Sequence, residues 1–245
     1  MEIFQDFLNH PIVRYTVLFS LFLLILFIVL YLLFYVKETD YIHPALYVKR
    51  NDFGLGVYTK EDIPANTVLV RKNIFHIDYE SRVYKDYSDY IIQLIKKILQ
   101  SPQKDEFLTF VPDYLDETTN VYDYNDIQDY HLKYLPQLDK NTMLLYYYKM
   151  TRNVFKYNEQ AGVVFGYGTR FNHSCDFNVT YEIDSTVKQK NVMAFTTTRD
   201  INAGEELYIT YVDTNEHPEV EERLTHLKDN YGFDCICPLC NSEEP

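Results

Sequence analysis

Four cysteines are the residues of this chain best placed to do chemistry together. Three stand close, as Cys235-Ile236-Cys237-Pro238-Leu239-Cys240, and the fourth is the distant Cys175 of Asn172-His173-Ser174-Cys175. Four thiolates make one tetrahedral zinc site. The Cys-x-x-Cys from Cys237 to Cys240 lets two sulfurs meet one ion from a single turn, while the fold must deliver Cys235 and Cys175. The expected ligands are therefore Cys175, Cys235, Cys237 and Cys240, with Zn2+ in a structural role, stapling the tail to the middle of the domain. Two disulfides are the other reading; bridging inside so short a tail would be strained, and the chain shows no cleaved secretion signal. A closed four-sulfur site leaves no position for an activated water, so metal-assisted hydrolysis is not the expected chemistry.

Elements must carry these residues. Short β-type runs (ALYVKR, LGVYT, TVLVRK) lie between residues 45 and 72, separated by turn formers at Asn51-Asp52, Gly54, Gly56 and Pro64-Ala65-Asn66. They predict a small antiparallel sheet. Over residues 88–100, Ile91, Ile92, Leu94, Ile95, Ile98 and Leu99 recur at helical spacing, with Ser88 placed to cap the start. A second helix is expected over 140–155. Strand patterns return at 178–183, 191–198 and 206–212, and a last helix is expected over 219–230 before the cysteine tail. Strands, then helices, then strands describe a mostly β domain with a helical insertion at about 85–155.

Residues 15–36 (YTVLFSLFLLILFIVLYLLFYV) carry no charge. As a helix they would extend ~33 Å, enough to cross a bilayer core. A signal peptide would have a shorter apolar stretch and small residues for cleavage, whereas Leu32, Leu33, Phe34 and Tyr35 continue the run. The reading is one N-terminal transmembrane helix after a flank at 1–14, with membrane as a partner through residues 15–36. Lys37, Lys49 and Arg50 against Arg14 tilt the remainder towards the cytosol.

The formal net charge of −13 excludes direct nucleic-acid binding as the expected role, because phosphates need clustered Lys and Arg. A basic protein substrate fits that charge; so does an acidic surface that only keeps the chain soluble.

Three motifs then appear in one order: Asp52-Phe53-Gly54-Leu55-Gly56-Val57, Asn172-His173-Ser174-Cys175, and Gly204-Glu205-Glu206-Leu207 followed by Tyr211. With the cysteine tail after them, the sequence resembles the SET-domain protein-lysine methyltransferases, and within them the SET/MYND-like subfamily. Two departures stand out: Asp52 occupies the place of the family's first glycine, and no cysteines remain for a MYND finger. The resemblance implies a β-clip SET fold with a pseudo-knot over residues 45–212, and a post-SET helix and zinc tail over 213–245. It also implies that cofactor and substrate enter from opposite faces and meet in a narrow channel.

The resemblance implies S-adenosylmethionine as cofactor and a protein lysine side chain, histone or non-histone, as methyl acceptor. Tyr211 matches the catalytic tyrosine. Phe53, Gly54, Asn172, His173 and Phe233 match cofactor-binding positions, and Phe155 and Tyr231 match substrate-channel aromatics. Cytosolic cofactor and reduced thiols place the domain in the cytosol or nucleoplasm, so the glycosylation pattern Asn178-Val179-Thr180 is read as chance. The competing expectations are a catalytically silent SET-fold binding module on a membrane and a structural zinc protein without cofactor.

Overall fold

A computed structural model of the chain describes residues 11–51, 54–77, 84–115, 123–157, 160–187 and 191–242. The chain divides into two units, residues 1–41 and 42–245.

The first unit holds helix α1 (Pro11–Thr39), 29 residues without a break. Its side chains are described only over residues 15–30, where every one is exposed. Among the described residues no helix is long and apolar enough to cross a membrane. Residues 31–36 of the expected span, and 1–14 of the flank, have no described side chains.

The second unit has β strands split between sheets. One has the order β1-β4-β9-β8, built from Tyr41–Ile42, Val68–Asn73, Val192–Thr197 and Val179–Ile183. The other, β2-β3-β10-β7, uses Leu46–Asn51, Gly54–Thr59, Glu206–Ile209 and Asn172–His173. The three early runs therefore do not share one sheet as the sequence suggested. TVLVRK leaves the β2-β3 hairpin and pairs antiparallel with β9, Val70 against Phe195. Burial explains the choice: Leu69 and Val70 are buried and join Val57, Phe171, Val179, Phe195 and Leu207 in one core.

The expected helical insertion is present. Helix α2 (Tyr87–Leu99) buries Ile91, Ile92, Leu94, Ile95 and Ile98 against Phe107, Met143, Tyr147 and Met150. Its cap is Asp86, not Ser88: the Asp86 carboxylate accepts from Asp89 N–H, while Ser88 Oγ lies 2.9 Å from Tyr147 Oη. Helices α3 (Lys104–Leu108) and α4 (Gln128–Tyr134), both short, were not anticipated. Helix α5 (Lys140–Asn153) stops two residues early, because Phe155 opens a hairpin, β5-β6 (Phe155–Tyr157 and Gln160–Gly162).

Two stretches distant in sequence are joined in parallel by β7 and β10, with Tyr208 opposite Asn172 and Ile209 opposite His173. Ser174 N–H then donates to Ile209 O at 3.0 Å, and Asn178 N–H to Tyr208 O at 3.3 Å. This contact brings the Asn172 and Gly204 motifs side by side. Asn178 is buried, its amide donating to Glu206 O at 2.9 Å, so the glycosylation pattern is structural. After β10 the chain turns through helix α6 (Val220–Tyr231), capped by Gly232 at φ +76°, and a short α7 (Pro238–Ser242) that carries Cys240.

Candidate active site and cysteine cluster

Every cysteine converges on one point. The sulfurs of Cys175, Cys235, Cys237 and Cys240 lie within 4.8 Å of one another, and Cys175 Sγ and Cys240 Sγ are 3.6 Å apart. Tetrahedral zinc at ~2.3 Å from each sulfur needs sulfurs ~3.8 Å apart, so the cluster has the right size and donor type. The four are free thiols. Hydrogen bonding from Cys175 holds the Cys235 thiol down to about 3, and the same bond, with burial, pushes Cys175 far above the thiol range. Burial raises Cys240 to about 11. A divalent cation among them is what would let four neighbouring thiolates ionise together.

The cluster adjoins a cavity of about 640 Å3. Gly54, Asn172, His173 and Phe233, all expected cofactor contacts, line it together with Tyr208, Tyr211, Tyr231, Cys235 and Cys237. Its volume lies within the range of cofactor pockets, and its amide, imidazole and guanidinium groups (Asn172, His173, Arg152 and Arg170) suit a polar ligand with an apolar body. Gly54 sits at φ +117°, where an L side chain would be strained. Phe53 and Asp52 lie outside the described residues.

A second cavity, about 300 Å3, is lined by Phe155, Phe171, Tyr181, Tyr211 and Tyr231, with Asp213, Glu216, His217 and His226 nearby on its wall. Tyr211 and Tyr231 border both cavities, as do Arg152, Asn153 and Thr169. The tyrosine rings pack at 4.9 Å, and Phe155 meets Tyr181 edge-on at 5.1 Å. The arrangement is two chambers sharing an aromatic partition.

Tyr211 is fixed at both ends. Its hydroxyl donates to Phe171 O at 2.7 Å, and its backbone N–H donates to His173 Nδ1 at 3.0 Å. Burial, followed by the neighbouring Tyr231, pushes its phenol well above the usual tyrosine range. A phenol that stays neutral can orient a partner through its oxygen but is a poor general base.

The expected residues other than Phe53 thus fall on one connected surface: the cysteine cluster, the large cavity and the aromatic partition. The sequence reading did not assign Tyr181, Arg152 or Asn153, which line the cavities. Nor did it single out Glu206, whose carboxylate touches Asn172. Glu206 lay within a quoted motif, but apart from Tyr208 its partners are 34 and more positions away and leave no local pattern.

The SET domain family model matches residues 54–212. The SET domain-containing protein L678 of Acanthamoeba polyphaga mimivirus is 30% identical over 199 residues, covering 76% of this chain and 73% of that protein. The histone-lysine N-methyltransferase set5 of Schizosaccharomyces pombe is 38% identical over 92 residues, 38% of this chain and 27% of its own length. Among solved structures, the SET domain of LSMT bound to lysine and AdoHcy aligns with a TM-score of 0.56 at 13% identity, covering 81% of this chain and 54% of that one. The chain thus spans about a quarter of the length of the fission-yeast relative and about half of LSMT. The LSMT likeness carries the fold, and the family model together with the viral relative shows the membership: this chain belongs to the SET-domain family.

Proposed function

We propose that the chain is an S-adenosylmethionine-dependent protein-lysine N-methyltransferase of SET/MYND-like type, tethered to a membrane through residues 15–36 with its SET domain in the cytosol or nucleoplasm. The observation that carries the reading is the position of Tyr211, which borders both cavities. Named relatives support it: set5 is a histone-lysine methyltransferase, and LSMT was crystallised with lysine and AdoHcy. The tether rests on the charge-free run and on the unbroken helix α1.

The large cavity would hold the cofactor through Gly54, Asn172, His173 and Phe233, and the small one the lysine stem between Phe155, Tyr181, Tyr211 and Tyr231. S-adenosylmethionine, when bound, supplies a methyl group already activated by a sulfonium. The chain has then to present a neutral amine in line, which is a matter of positioning. A free lysine amine has a pKa of ~10.4, and aromatic walls disfavour its ammonium form. Tyr211, neutral and anchored at Phe171 O, orients the amine, and no dedicated base is required. Zn2+ at Cys175, Cys235, Cys237 and Cys240 would hold Tyr231 and Phe233 in the cavity walls without entering the reaction.

The test is methyl transfer from labelled S-adenosylmethionine to lysate proteins by the full chain in detergent, beside Tyr211→Phe. Label on lysine that falls or changes in degree in the variant supports the reading. Cofactor binding without transfer to any lysine, across lysates of several sources, points instead to a silent binding module.

A further inference from the structure

Outside the residues assigned above, a dense polar knot in the second unit centres on the Glu206 carboxylate. Its Oε1 accepts from Asn172 Nδ2 at 2.8 Å and Asn51 Nδ2 at 2.9 Å. Its Oε2 accepts from Tyr58 Oη at 2.6 Å, Tyr208 Oη at 2.8 Å and Asn51 Nδ2 at 2.9 Å. Strands β2, β3, β7 and β10 each send at least one side chain to this one group.

An ionised carboxylate has no proton to give. Facing Asn172, it can only accept, so the amide must turn its NH2 towards Glu206 and leave Oδ1 as an acceptor. Asn172 also lines the 640 Å3 cavity. The neighbouring backbone is cut to fit: a Cβ at Gly56 would run into Glu206 Oε1 and stand 2.9 Å from Asn172 Nδ2.

We infer that Glu206 is a positioning residue for the cofactor: it fixes the orientation of the Asn172 amide so that the acceptor oxygen is available to a cationic donor group in the large cavity, and Gly56 is glycine to admit that pairing. The inference rests on the reading of Asn172 as a cofactor contact and deepens it. A purely structural carboxylate would tie the strands together with no preference among its four partners; a positioning one acts through Asn172.

The partners separate these cases. Binding of S-adenosylmethionine to the full chain in detergent is followed by calorimetry in Glu206→Leu, Gly56→Ala, Tyr58→Phe and Asn172→Ala, with melting temperature measured alongside. Supporting groups of this kind typically change affinity roughly 10-fold to 100-fold. Glu206→Leu and Gly56→Ala are expected to weaken binding about 10-fold or more. Tyr58→Phe, which removes a donor from the same carboxylate without touching Asn172, is expected to lower the melting temperature while leaving affinity within about 2-fold. Asn172→Ala in the Glu206→Leu background should add little, because both changes remove one interaction. If Asn172→Ala weakens binding but folded Glu206→Leu and Gly56→Ala bind like the parent, or if Tyr58→Phe weakens binding as much as they do, the positioning role is wrong. If Asn172→Ala itself binds normally, the assignment of Asn172 fails instead. Should Glu206→Leu not fold, Gly56→Ala decides, since it removes no hydrogen-bonding group.

Discussion

The His173 ring stands between Tyr211 and the cysteine cluster: Nδ1 accepts the Tyr211 backbone N–H at 3.0 Å, and Nε2 lies 3.4 Å from Cys175 Sγ. An accepting Nδ1 leaves the ring proton on Nε2, aimed at sulfur. One imidazole therefore fastens the tyrosine at the partition to the cluster that closes the tail.

Replacing that ring tests the link. His173→Phe keeps an aromatic between Tyr211 and Phe233 but leaves the Tyr211 N–H without its acceptor. The expected cost is ~1–3 kcal/mol in denaturant unfolding, the penalty of an unmade buried hydrogen bond. Methyl transfer should fall further than stability does, because Tyr211 shifts with its backbone.

Metal removal should be felt in the cavities. A chelator strong enough to strip the chain of zinc is expected to release one equivalent, detected by a colorimetric dye. It should lower the melting temperature and weaken S-adenosylmethionine binding, since Phe233, Cys235 and Cys237 all line the large cavity. Retention of full cofactor affinity by zinc-free protein would separate the cluster from the site.

The pH–rate profile should rise without a falling limb from Tyr211. Its phenol is raised by burial above the unfolded value of ~10, so the neutral form persists through the assay range. The corresponding stability is intact below about pH 10 and is lost as pH climbs towards the folded value. Transfer measured from pH 7 to 9.5 should therefore increase as lysine amines deprotonate, and Tyr211→Phe should keep the same slope at a lower rate.

Acid should loosen the β4-β9-β8 sheet. Burial pushes the Asp184 carboxyl up, but hydrogen bonds from Thr186 and then Arg71 outweigh it and hold the group below its ordinary value. The Arg71 Nε to Asp184 Oδ2 contact is 2.5 Å, with the aspartate side chain 6% exposed. A depressed carboxyl contributes stability above its unfolded value of ~3.9 and loses it as pH falls through the lower folded value. Asp184→Asn is expected to cost ~1–3 kcal/mol at pH 7 and to flatten the loss of stability that sets in as pH falls below about 4.

Much of the strand and helix content was legible in the chain. The apolar period of α2 and the short β-type runs each leave a local signature. What could not be read was pairing. TVLVRK looks alike whether it joins β3 or β9, and only the burial of Leu69 and Val70 beside Phe195 decides it. Capping was misread because Ser88 and Asp86 are both good caps, and Ser88 is engaged by Tyr147, 59 residues away. The short helices α3 and α4 have too few turns to show a period.

The candidate site was legible where motif order stood in for geometry, as with Cys175, Asn172, His173 and Tyr211. The carboxylate of Glu206 and the wall position of Tyr181 were not, since their roles arise from groups brought together across the sheet. Phe155 was expected near the end of a helix and instead opens the β5-β6 hairpin, where it packs on Tyr181 and Phe195.

The parallel pairing of β7 with β10 sets an order of events during synthesis. Asn172 and His173 leave the ribosome well before Tyr208 and Ile209 exist to pair with them, and Tyr231, Phe233 and Cys235 come later still. At 5–20 residues per second, the nascent SET body spends seconds with both chambers lacking Tyr211 and Tyr231 and with Cys175 alone. Helix α1 emerges long before that. If it engages a bilayer as proposed, the chain reaches its membrane before it can hold its cofactor, so the enzyme would arrive at its address inactive and mature there.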